Sequence, residues 1–236
     1  GVTLHFVSRA HSEDTGAGAP GMDPAPMLPD SVSLLTVTGS FGRVWQDLLL
    51  GKAMNPEEAE TFMQELYGFG LEELAEYFEG HTAIAVDGVF KAGDGTPVPS
   101  MVFVYKTKDP EKAQQKVHEI LRTSIRDSYR ERKLLRNQME YIVFRNDHDE
   151  SAVIAPSYAV VEDTVFFTLT DTQMERVLDA AAGKVPVLSE TPAYKAYSPD
   201  KGDDLDAVIL VQGPQLAEQA VDYFTWFGDI SSAELA

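Results

Sequence analysis

The sequence predicts an α+β protein: a mixed, largely antiparallel sheet with helices packed on it. Two observations lead there. Strand-like runs cluster between helical segments instead of alternating strictly with them. The helical segments carry apolar stripes at a period of 3.6 residues and have recognisable starts and stops. The composition agrees, with 44% hydrophobic and 24% charged residues over a length of 236, which is ordinary for a chain that buries a core.

The elements follow in order. Residues 1–7 form a short apolar piece, and 12–29 are rich in Gly, Ala and Pro, which reads as a linker. Val32 to Thr38 is β-branched and apolar, a buried strand ended by Gly39. Phe41, Val44, Trp45, Leu48 and Leu49 then fall at helical spacing. Asn55-Pro56-Glu57-Glu58 opens a second helix with a cap, a first-turn proline and two carboxylates at the positive end of the dipole. A third short helix carries Leu71, Leu74 and Phe78. Residues 81–90 and 100–107 read as strands. Asp109-Pro110-Glu111 opens a long helix, read as far as Arg136. Met139 to Arg145 is a strand, and 158–161 with 164–170 form a hairpin turning at Glu162-Asp163. Asp171 caps a helix that stops at Gly183. Ala207 to Gln212 is the last strand, followed by a helix with a stripe of Leu216, Ala220, Tyr223, Phe224 and Phe227. The likeness of 32–39 to 207–213, and of 101–110 to 165–172, suggests repeated β-α units, with a second repeat starting near 205. The domain reading is a stub and linker over 1–29 and a single α+β domain over 30–236.

The net charge is −19, with 38 acidic against 19 basic residues. Such a surface repels phosphates, so nucleic acid is not an expected partner. There is no cysteine, which removes disulfides, thiolate metal sites and cysteine nucleophiles together. No run of about 18 apolar residues is present, so no helix is expected to span a membrane. An apolar stub before a linker is what remains when an N-terminal anchor or signal has been removed.

Three segments carry possible chemistry. Asn146-Asp147-His148-Asp149-Glu150 groups carboxylates with an imidazole, a set able to hold a metal or move protons. It lies between two strands, where polar turn residues belong, and lacks the spacing of a calcium loop. Asp200 to Asp206 is rich in oxygen ligands but has its glycine misplaced for such a loop. The segment 111–136 holds eight basic and four acidic residues, a local charge of +4. Read as one helix, it aligns Arg122, Arg126 and Arg130 on a single face, where guanidinium forks could take an acidic partner or a phosphate group. The plainer reading is a solvated face pairing with the acidic body of the same chain. No hydrolase elbow, phosphate loop or dinucleotide fingerprint occurs, so no catalytic residue, metal ligand or cofactor is assigned. His5, His11, His81 and His118 are scattered singles, and Trp45 and Trp226 fall on apolar stripes.

Five segments together resemble a bacterial family of exported or membrane-anchored proteins known as domain of unknown function 3352. They are residues 28–35, residues 70–85 from Gly70-Leu71-Glu72-Glu73-Leu74 to Gly80-His81-Thr82-Ala83, Lys108-Asp109-Pro110-Glu111, Tyr158 to Asp163, and Leu188 to Tyr194. The resemblance covers most of the chain after the linker. It implies an extracytoplasmic domain behind an N-terminal anchor and supplies no catalytic residues. The expectation is a non-catalytic exported protein that binds another envelope protein or helps an envelope assembly. The alternatives are a metal-dependent or hydrolytic enzyme using 146–150, and a docking module using the basic segment 111–136.

Overall fold

The computed structural model describes residues 3–8, 23–38, 61, 64, 82–91, 97–125, 129–148, 154–197 and 207–221. Their strands are β1 (Thr3–Ser8), β2 (Leu34–Thr38), β3 (Thr82–Lys91), β4 (Pro97–Lys106), β5 (Tyr129–Arg136), β6 (Met139–Asn146), β7 (Ser157–Val161), β8 (Thr164–Thr168) and β9 (Ala207–Gln212). The helices are α1 (Pro110–Ser124), α2 (Asp171–Ala181) and the short α3 (Pro192–Tyr197). One sheet joins all nine strands in the order β1-β9-β2-β3-β4-β8-β7-β6-β5. Every described pairing is antiparallel. The α+β class is as the sequence predicts.

Two apolar layers use the period-2 alternation of the strands. Tyr141, Val143, Ala159 and Phe166 point to one face, where Met174, Val177 and Leu178 of α2 meet them. Ile142, Phe144, Tyr158 and Val165 point to the other, under Ala113, Val117 and Leu121 of α1. The two helices therefore lie on opposite faces of the β6-β7-β8 region. Each strand leads into its helix through a cap. Asp109 accepts the Lys112 amide at 3.1 Å, and this bond, with the Lys112 ammonium, holds its carboxyl below the usual range. For α2 the cap is Thr170, which accepts from the Gln173 amide. Asp171, which the sequence suggested as the cap, is the first helical residue. Its carboxylate receives the Arg145 guanidinium.

Several boundaries differ from the sequence reading. The long helix expected over 111–136 ends at Ser124. Arg130, Arg132, Lys133 and Arg136 lie instead on β5, paired residue for residue with β6 from Tyr129↔Asn146 to Arg136↔Met139. The two-residue turn Asn137-Gln138 makes this possible, both residues having positive φ (54° and 67°). That conformation matches the twist of a tight hairpin. Lys, Arg and Leu are good helix formers, and here ladder pairing overrides their preference. The stub placed outside the domain is also part of it. Residues 3–8 pair with β9 throughout their length, Ala25 and Leu28 are in the core, and Pro29 bridges to Val187. The start of a second repeat near 205 corresponds to β9, which lies inside the same sheet, between β1 and β2. The helix after β9 is described to residue 221. Its Leu216, expected to be buried, is exposed, while Gln219 accepts from the Ser33 hydroxyl.

Thr61 and Gln64 are helical, in register with the second expected helix. The other residues of the three helices read over 41–78 lie outside the described residues. So do Arg126, Asp149, Glu150, the 200–206 segment, Tyr223, Phe224, Phe227 and both tryptophans.

Candidate functional site

Three polar constellations stand out, and the sequence pointed at only part of one. The first is the edge strand β5, at the end of the sheet. Residues 130 to 133 are all exposed, and Leu135 is 74% exposed. Cross-strand register divides the side chains. Arg130, Arg132, Leu134 and Arg136 share the α2 face, and Tyr129, Glu131, Lys133 and Leu135 the α1 face. Arg130 meets Asp147 at 2.8 Å, and Lys133 meets Glu140 at 2.6 Å. Both pairs are solvent-facing, the kind that contributes about 0–1 kcal/mol and exchanges readily. At the strand's end Arg136 forks onto Asp179 (2.8 and 2.5 Å) and reaches Glu175. This hydrogen bonding, joined by the Asn137 amide, holds the Asp179 carboxyl down at about 2. Tyr141 donates to Glu175, and burial with the Glu175 charge pushes its phenol up to about 12.

Of the three arginines picked out from sequence, Arg122 is exposed on α1 and Arg130 is exposed on β5. They do not share a helix face, because the helix ends between them. The intramolecular pairing of Arg130 agrees with the plainer reading of that segment. In the 146–150 cluster, Asp147 is engaged by Arg130. The His148 amide donates to Asn146 in an exposed turn. Among the described residues no group of three or more carboxylates and imidazoles is placed to hold a metal.

The second constellation joins α1 to the sheet. His118 Nδ1 lies 3.0 Å from the Tyr158 hydroxyl, and its Nε2 lies 3.5 Å from Glu131. Carboxylate, imidazole and hydroxyl occur here in the sequence of a nucleophilic triad. However, the hydroxyl is the innermost member, on a tyrosine that is 2% exposed, and burial raises its pKa further. The arrangement braces α1 against β5 and β7.

The third constellation was missed. Asp87 sits in β3 at an irregularity between Val86 and Val89, next to Gly88 at φ +115°. Its residue is 3% exposed. Gln173 Nε2 donates to it at 2.8 Å, and Arg176 Nη1 lies 3.2 Å away. Arg176 also donates to Ser31, and Ser100 donates to Gln173. The sequence signal was a carboxylate inside an apolar strand, Ala85-Val86-Asp87-Gly88-Val89. Burial raises its pKa, opposed by Ser31, Arg176 and Gln173. The native state therefore holds the Asp87 proton more tightly than the unfolded chain does. This group's contribution to stability is full below the ordinary value of 3.8 and is lost as pH rises through the folded value. Asp179 is the reverse, stabilising above its ordinary value and losing that effect as pH falls towards about 2. Arg176→Met leaves Asp87 without its cation. The expected loss is about 1–3 kcal/mol at neutral pH, discounted from the fully buried case because Arg176 is half-exposed. It should shrink in acid as Asp87 protonates. Urea unfolding of both proteins near pH 7 and near pH 4 measures this, and an equal loss at both would show that the charge pairing is not the cause.

No family model matches the chain, and no curated protein matches it. Among solved structures it is similar to one described as "Structure of crystal form III of TP0453", with a TM-score of 0.39 and 9% identity. The likeness covers 77% of this chain and 60% of that one. At that level it carries no argument about function. No helix among the described residues is long and apolar enough to cross a membrane.

Proposed function

We propose that this chain is a non-catalytic binding protein of the cell envelope and that it meets its partner protein along the edge strand β5. The observation that carries the binding reading is an eight-residue strand at the sheet's end, exposed, with four basic residues and one acidic, on a chain of net charge −19. Among the described residues no strand lies beyond β5; such an edge offers backbone groups to another chain, and its cationic side chains favour a partner of opposite charge. The envelope location and an N-terminal anchor rest on the family resemblance alone. The apolar stub that also suggested an anchor is strand β1. Of the basic segment 111–136 read from sequence, only the part in β5 enters this reading.

The test is site-specific photo-crosslinking in the native cell. A photoreactive residue at position 132 should give a discrete protein adduct that one at Lys195, exposed on α3, does not. Identical adducts from both positions, or none, would overturn the reading.

A further inference from the structure

We infer that the occupant of β5 is an extended acidic segment that adds to the sheet as a tenth strand, with acidic residues at every second position. The inference rests on the binding role just proposed and specifies the partner's chemistry.

The backbone decides which groups are offered. In an antiparallel ladder alternate residues direct both backbone groups to the same neighbour. The Phe144 amide donates to Pro156, on the β7 side. Its cross-strand partner Glu131 therefore turns its own backbone outward, and by the same alternation so do Tyr129, Lys133 and Leu135. An incoming strand pairs with those four residues. Its side chains then lie beside those of β5, face for face. On the α2 side they meet Arg130, Arg132 and Leu134, and acidic residues fit against the two arginines, while Arg136 is already held by Asp179 and Glu175. On the α1 side they meet Tyr129, Glu131, Lys133 and the exposed Leu135, whose charges balance, and uncharged β-branched residues fit. Arg132 has no ion-pair partner among the described residues. Asp147, which holds Arg130, does so in solvent and can be displaced.

A second copy of this chain is the competing occupant, and it fits less well than an acidic segment. Outward residues must pair with outward residues, so the well-overlapped antiparallel registers are few. One sets Arg132 opposite Arg132 with Glu131 opposite Lys133 on either side, and the others set Lys133 opposite Lys133 or Arg130 opposite Arg132, so each holds at least one pair of like charges that an acidic segment avoids. Like charges directly opposite destabilise a strand pair.

The probe is a capped peptide alternating glutamate and valine, titrated into the full chain by calorimetry at low and moderate salt. Two control peptides are a block arrangement of the same residues and an N-methylated version that cannot donate along one edge. Binding by the alternating peptide, weakened about tenfold or more in both controls and by Arg132→Glu, is the expected result. Arg132 is exposed and has no ion-pair partner among the described residues, so that variant should melt like the parent. Equal binding of all three peptides would overturn strand addition while leaving the binding role intact. Association of the chain with itself, abolished by Arg132→Glu, would make a second copy the occupant and overturn the inference. No binding by any acidic peptide, despite a position-specific adduct at 132, would also overturn it. The same silence with no adduct would overturn both readings.

Discussion

Removal of the chain after Asp206 is expected to leave no cooperatively folding protein. The deleted strand β9 is interior to the sheet, hydrogen-bonded to β1 on one side and β2 on the other. Without it β1 loses its described neighbour, and β2 becomes an open apolar edge. Leu210, 1% exposed in the main core, goes as well. Gln212, whose amide and side chain bond to the backbone at Ser33, Val32 and Asp30, is also lost. Domain stabilities of about 5–15 kcal/mol do not survive the loss of two strands from one sheet. Thermal unfolding followed by circular dichroism, with a dye for exposed apolar surface, reads the outcome. A truncated chain that melts cooperatively at the parent temperature would show that β9 is dispensable.

Phe166→Ala should be the most damaging single change in the described core, at about 3–5 kcal/mol. Phe166 is fully buried on β8 and belongs to the main cluster, whose α2 members are Met174, Val177 and Leu178. Its ladder neighbours Val104 and Ala159 are themselves buried, so little can move in to fill the space. Phe167, one residue on, points to the opposite face beside Phe103 and is half-buried. Phe167→Ala should cost clearly less. Equal losses from the two in urea unfolding would contradict the two-faced assignment of β8.

Where local signals were strong, the sequence was legible. Apolar runs at 82–91, 139–146 and 207–212 are strands, and the 157–168 hairpin turns at Glu162-Asp163 as expected. The Asp109 cap and Gly183 mark helix ends because a side-chain acceptor and a positive φ are local requirements. Strand β5 was illegible because Tyr129 to Arg136 faces solvent along most of its length. It lacks the apolar alternation that a half-buried strand shows, and its residues favour a helix. The turn residues Asn137-Gln138 were the available hint, since Asn tolerates a positive φ better than most residues. That misreading carried into the site, because three arginines spaced by four mean one face only while the helix lasts. The Asp87 network was illegible for another reason. Its members come from residues 31, 87, 100, 173 and 176, and only the sheet brings them together.

The pairing of β1 with β9 has a consequence for how the protein is made. Thr3 meets Gln212 and Ser8 meets Ala207, so β1 leaves the ribosome long before the strand it pairs with. Contacts of such separation close slowly, because the loop entropy is lost before the ladder is gained. Synthesis proceeds at about 5–20 residues per second, so an interval on the order of ten seconds or more separates the two strands. During it β2 can pair with β3 while its other side, reserved for β9, stays open. The sheet is completed only after translation has passed residue 212, and an interrupted nascent chain presents an unpaired apolar strand to whatever chaperone or protease meets it first.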